Sequence, residues 1–245
     1  MKLFPLTASL LLAAFPGVVL ADSKDDVKAA VEKLTAAENY TWSTLVDMGS
    51  DSQFRPGPIE GKALKDGTAM VTWKRGDNTT EAFVKDGKAV MKVEGAWKTP
   101  EEIAAASEGG NGGRGRMMGG MLRNTKAPAA QAADLAGKTE KLEEKDGALS
   151  GALTGEAVKN LLTFGGRRRD GSSPPEPKDA SGTIKFWIMD GVLTKMETHV
   201  KGTMSFNGED RQIDRKTTTE ISAVGSTKLE VPEEVSKKLA AAESK

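Results

Sequence analysis

A chain of 245 residues carries 35 basic and 35 acidic side chains, one histidine and no cysteine. Without cysteine there is no disulfide framework, thiolate metal site, thiol nucleophile or lipidated N-terminal cysteine, and one histidine cannot supply the imidazoles of a usual zinc centre. A formal charge of zero argues against a nucleic-acid binder, which needs a basic surplus to displace phosphate counterions.

The N-terminus reads as an address. Met1-Lys2 supplies a positive start, Leu3 to Phe15 is almost unbroken in apolar character, and Val19-Leu20-Ala21 precedes a charged stretch opening at Asp22. This pattern predicts a signal peptide over residues 1–21, cleaved after Ala21. The apolar run falls short of the roughly 20 residues that a spanning helix needs. Residues 22–245 contain no second segment of that kind, so the expectation is one exported domain, periplasmic or secreted, and peripheral to a membrane at most.

Next comes a capping pattern, Ser23-Lys24-Asp25-Asp26, with Val27, Ala30, Val31 and Leu34 at the spacing of one helical face. Strands are predicted over Tyr40 to Val46, Pro58 to Leu64, Thr68 to Arg75, Thr79 to Lys85 and Lys88 to Glu94. Asp66-Gly67 and Asp86-Gly87 supply hairpin signals between them. Ala69, Val71 and Trp73 alternate with Met70, Thr72 and Lys74, which predicts an antiparallel meander with one buried face. Thr99-Pro100-Glu101-Glu102 opens a capped helix, and Ala127 to Ala136 reads as another.

The second half uses the same grammar. A hairpin is predicted around Asp146-Gly147, a helix over Gly155 to Phe164, and strands over Gly182 to Asp190, Val192 to Lys201, Thr203 to Asn207 and Asp210 to Ala223. Shared faces are expected for Ile184, Phe186 and Ile188, for Val192, Met196 and Val200, and for Ile213, Thr217, Thr219 and Ile221. Val231-Pro232-Glu233-Glu234 starts a short terminal helix.

Two long loops are predicted, at 107–124 and 165–182. The first carries Met117, Met118 and Met121 among many glycines; adaptable methionines suit a lid over an apolar pocket, whereas the glycine content suits a disordered loop. The second carries Arg167, Arg168 and Arg169, which suit either an acidic partner or a solvated charge run.

No catalytic pattern emerges. His199 is predicted on the polar side of its strand, in register with Lys195 and Glu197. No serine near it sits in a nucleophile elbow, and the glycine-rich stretch lacks the Lys-Ser/Thr of a phosphate loop. The expectation is a non-enzymatic protein with no cofactor and no metal.

The fold class predicted is α+β: an antiparallel curved sheet of about ten strands, its concave face covered by helices. An open sheet of that width must curl, and the space behind its inward residues is either a lipid-sized pocket or ordinary core. The residues expected to line it are Trp42, Val71, Trp73, Val84, Ile184, Phe186, Ile188, Met196 and Ile221.

The order of elements, the hairpins at Asp66-Gly67 and Asp86-Gly87 ending in Gly95-Ala96-Trp97, and the run Gly182 to Met196 together resemble the LolA/LolB-like superfamily, with the LppX/LprG lipid carriers as relatives. The resemblance spans Ser23 to Leu239 and rests on topology. It implies an unclosed half-barrel with a helical lid, taking acyl chains of a lipid or acylated protein in transit. It also implies an arginine latch, for which Arg55 is the nearest candidate. The chain departs from the anchored members in having no lipobox cysteine, and from a minimal carrier in its long loops. The alternative of a different class is an exported envelope scaffold that engages an acidic partner protein through Arg167 to Arg169.

Overall fold

The computed structural model describes residues 23–49, 56–75, 78–106, 125–163, 176–206 and 209–241. The predicted signal peptide, Arg55, the methionines 117, 118 and 121 and the arginines 167–169 lie outside the described residues.

Eleven strands form one antiparallel sheet in the order β6-β5-β4-β3-β2-β1-β11-β10-β9-β8-β7. The first meander comprises β1 (Asn39–Asp47), β2 (Ile59–Leu64), β3 (Ala69–Arg75), β4 (Asn78–Lys85), β5 (Lys88–Val93) and β6 (Ala96–Lys98). The second comprises β7 (Glu143–Lys145), β8 (Ala148–Ala152), β9 (Lys178–Met189), β10 (Val192–Phe206) and β11 (Glu209–Ser222). They join where β1 pairs with β11, Trp42 opposite Ile221 and Thr44 opposite Thr219. The sheet does not close, since β6 and β7 are its edges; each has three residues and carries charge, which blunts the pairing capacity of an edge.

Local chemistry sets the turns. Asp86-Gly87, Glu94-Gly95, Asp146-Gly147 and Asp190-Gly191 all have positive φ at both central positions, the backbone that two-residue hairpins need to match strand twist. At Asp66-Gly67 only the glycine is positive. There the Asp66 carboxylate accepts from the Thr68 N–H at 3.0 Å and from Lys85 at 2.7 Å, closing a longer loop.

The structure extends the predicted strands at three places. Glu94-Gly95 turns into β6, which the sequence reading left unassigned. β9 begins at Lys178, so residues 178–182, expected as loop, are strand. β10 runs through Gly202, where a break was expected, with a register shift between Lys201 and Thr203. Gly202 does not end the strand; it is a point of close approach, because a Cβ there would meet Leu162 Cδ1 at 2.8 Å.

Five helices are among the described residues: α1 (Ser23–Ala36), α2 (Pro100–Ala106), α3 (Pro128–Gly137), α4 (Gly155–Leu162) and α5 (Glu233–Ala241). Val27, Ala30, Val31 and Leu34 of α1 are buried as their spacing predicts. α1 packs on α3 and on β10. Two polar contacts fix its ends: Lys24 Nζ donates to the Thr139 carbonyl at 2.6 Å and Lys33 Nζ to the Asp190 carbonyl at 2.9 Å. α2 begins with a reciprocal capping box, in which the Thr99 N–H reaches Glu102 and the Glu102 N–H reaches Thr99 Oγ1.

One expectation is corrected. At β4 and β5 the first meander is buried on both faces rather than one: Phe83 and Val90, which point away from the concave side, form a second apolar cluster with Val235 and Leu239 of α5, flanked by Met70, Trp97, Leu229 and Val231.

Candidate functional site

The concave wall of the sheet is mostly apolar, with a polar stripe at Thr198, Arg215 and Thr219. All nine residues expected to line a cavity belong to one cluster with α1, α3 and α4. Ile184 and Phe186 are 0% exposed, and Val71, Met196, Trp42, Val84 and Ile221 are buried, while Trp73 and Ile188 are half-buried against the same cluster. The indole of Trp42 lies across Gly61 of the neighbouring strand. A Cβ at Gly61 would stand 2.1 Å from the Trp42 ring, so this glycine admits the ring to the wall.

The helices over this wall seat differently. α3 carries Pro128, Ala129, Ala132, Leu135 and Ala136 on its buried side; small residues let the helix lie close to its neighbours but give each contact little apolar area. Ala127 at its N-cap makes no side-chain bond. Tyr40, buried on the concave side of β1, lies close enough to the start of α3 for the Ala129 backbone to bear on its hydroxyl. Burial pushes the Tyr40 pKa up to about 12, an effect that the Ala129 backbone only partly offsets.

α4 sits on β9 and β10 through two glycine notches. Val158 occupies the space a Gly182 side chain would take, and Leu162 that of Gly202. Thr154 caps its N-terminus by accepting from the Ala157 N–H at 3.3 Å. At its other end the Arg215 guanidinium donates to the Leu161 carbonyl, a cation placed at the negative end of the helix. Arg215 is 7% exposed and burial lowers its pKa.

Arg215 is a buried cation that the alternation of β11 did not single out. It lies between Ile213 and Thr217, on the face assigned to those residues and to Thr219 and Ile221. The alternation therefore placed a guanidinium on the concave wall. Around it the wall is polar: Thr198 stands opposite Thr217, and Thr44 Oγ1 lies 2.9 Å from Thr219 Oγ1.

The opposite face carries a separate shallow trough of about 540 Å³, lined by side chains that include Thr41, Ser43, Lys62, Met70, Thr72 and Glu220. It exists because β1 presents small hydroxyl residues between longer side chains on β2 and β11. His199 is also on this face, half-exposed, with Nε2 2.6 Å from Asp214, which Lys201 meets at 2.9 Å. That matches its predicted polar orientation. No group of three or more metal-ligating side chains occurs among the described residues, and none of the described helices is long and apolar enough to cross a membrane.

No protein-family model matches the chain, and no curated protein matches it. Solved structures do. LprF from Mycobacterium bovis is similar over 86% of this chain and 96% of its own, at 12% identity and a TM-score of 0.42. The lipoprotein LppX from Mycobacterium tuberculosis is similar over 84% and 96%, at 10% identity and a TM-score of 0.43. A LolA superfamily protein from Nitrosomonas europaea is similar over 88% and 97%, at 7% identity and a TM-score of 0.34. LolA and LppX, named above on hairpin grammar, thus recur among the solved structures similar to this chain.

Proposed function

We propose that this protein is a non-enzymatic carrier, exported by its first 21 residues, that binds an acyl chain of a lipid or acylated protein between the concave wall and its covering helices. One observation carries the reading: a single apolar cluster reaches across the concave wall from β5 to β9, interrupted by Arg215 and the threonines beside it, and short helices cover it instead of a second sheet. Short helices held by few contacts separate from a wall at lower cost than a sheet with a full hydrogen-bonded ladder.

The mechanism follows from α4. Lifting it breaks the bond from Arg215 to the Leu161 carbonyl and withdraws Val158 and Leu162 from their glycine notches. An acyl chain laid against Ile184, Phe186 and Met196 re-covers that surface, at about 0.8 kcal/mol for each methylene removed from water. A chain of some dozen methylenes can re-cover the wall that the eight-residue helix exposes, with no chemical step.

Native mass spectrometry of the protein purified from its own envelope fraction, followed by organic extraction, tests this. The expected result is a stoichiometric acyl-bearing species. A clean unliganded mass, together with no uptake of a fluorescent fatty acid, rejects the carrier reading.

A further inference from the structure

We propose that the ligand is an anionic amphiphile whose headgroup, a phosphate or carboxylate, is taken up by Arg215 and the threonines beside it when α4 lifts. This rests on the acyl-binding reading above and narrows it to one class of ligand.

The wall has a polar stripe where uniform apolar surface would bury a plain hydrocarbon better. Arg215, Thr217 and Thr219 succeed one another on the concave side of β11. Thr198 of β10 lies directly across from Thr217, and Thr44 of β1 from Thr219. Directly opposed residues on adjacent strands have Cβ atoms about 5 Å apart, so the four hydroxyls and the guanidinium form one cluster. Arg215, Thr198 and Thr219 are 7%, 8% and 2% exposed. Apolar wall borders the stripe on both sides, with Val71 toward one edge of the sheet and Phe186 toward the other.

One acceptor of Arg215 in the closed state, the Leu161 carbonyl, belongs to the helix that must leave. When α4 rises, the Leu161 carbonyl goes with it, and the guanidinium loses a bond inside an apolar surface, which is costly. A hydrocarbon chain offers nothing in exchange. Anionic oxygens do, because guanidinium binds phosphate and carboxylate through paired charge-assisted bonds. Thr44 and Thr219 use one hydroxyl proton between them and leave the other to donate. The headgroup therefore replaces the helix carbonyl, and the chain runs from β11 onto the apolar wall.

Two probes that share the acyl chain and glycerol and differ in the phosphate test this: 1-palmitoyl lysophosphatidic acid and 1-palmitoylglycerol, titrated calorimetrically into the full mature chain below their micelle thresholds. The wild type is expected to bind the phosphate probe at least about tenfold more tightly, the scale of one charged hydrogen bond. Arg215→Met should bring the two affinities within about twofold while still binding the neutral probe, and Arg215→Lys should keep part of the preference. Inorganic phosphate at the same concentration should displace neither probe. If the Met variant fails to fold by circular dichroism, Thr217→Val combined with Thr198→Val should reduce the preference severalfold. Equal wild-type affinities, or a preference that survives Arg215→Met or the double threonine variant, overturn the headgroup assignment and leave acyl binding standing. Displacement by inorganic phosphate overturns it in favour of a bare anion site. Binding of neither probe overturns both this inference and the carrier reading.

Discussion

The two faces of the sheet bury apolar residues for different ends. On the concave face one cluster runs through both meanders and the helices α1 to α4; on the outer face Phe83 and Val90 pack with Met70, Trp97, the terminal helix α5 and the segment before it. The outer cluster clamps the chain end: Lys238 of α5 meets Glu102 of α2 at 2.6 Å, and Lys62 Nζ donates to the Lys228 carbonyl at 3.1 Å. Among the described residues it is the concave side that holds a buried cation, Arg215, which donates to α4, and Val158 and Leu162 of that helix sit in two glycine notches. A polar group in a core is costly unless satisfied, and under the proposed carrier function the face that holds Arg215 is the one that exchanges partners.

Substitutions can break this contrast, beginning with the largest effect. Phe186→Ala empties the centre of the concave cluster and should cost about 3–5 kcal/mol, lowering global stability in chemical denaturation. Val235→Asp should instead undock α5 alone. Amide exchange should then rise in residues 233–241 while β9 to β11 stay protected, because a charge without a partner is excluded from the small outer cluster. Global unfolding of the Val235 variant would show that the two faces form one cooperative unit.

Next in size is the burial of Tyr40. Its folded pKa is raised and the unfolded value is near 10, so over pH 10 to 12 the unfolded chain has released a proton that the folded one keeps. Stability is therefore full below pH 10 and falls as pH rises, by up to about 3 kcal/mol for a shift of two units. Tyr40 is the sole tyrosine, so tyrosinate absorbance reads it directly. The expected midpoint is about 12, and Tyr40→Phe should flatten the alkaline loss. A midpoint near 10 would place the hydroxyl in water, away from α3.

Smaller again, Thr154→Ala removes the α4 cap and should cost about 1 kcal/mol, with faster uptake of a fluorescent fatty acid as its more telling readout. Lys238→Ala sits at the low end: the pair with Glu102 is half-exposed, and such pairs contribute about 0–1 kcal/mol.

Much of the fold was legible because its local signals agree. Asp-Gly pairs mark the turns, and the strict alternation of Ile184, Phe186 and Ile188 fixes which way β9 faces. The capping box at Thr99 and the helical spacing of Val27 to Leu34 did the same for α2 and α1. What alternation hid was burial on both faces. Ala82-Phe83-Val84 and Ala89-Val90-Met91 are each buried throughout, and such unbroken apolar triplets are the signature of a strand covered on two sides. The site was legible as a face and not as a device. Arg215 occupied a position of known parity, yet its meaning depends on the Leu161 carbonyl, 54 residues earlier in the chain. The approach of Tyr40 to Ala129 is equally non-local, and short-range patterns carry no trace of either.

The central claim, that ligand reaches the concave wall by lifting α4, is tested most directly with a cysteine pair, since the chain has no cysteine of its own. Val158→Cys with Gly182→Cys joins two positions where a Gly182 Cβ would lie 2.8 Å from a Val158 methyl, close enough for a disulfide. The account predicts that the oxidised protein loses uptake of a fluorescent fatty acid and that reduction restores it. Equal uptake in the oxidised and reduced states would contradict the account, because the ligand would then bind without α4 leaving the wall.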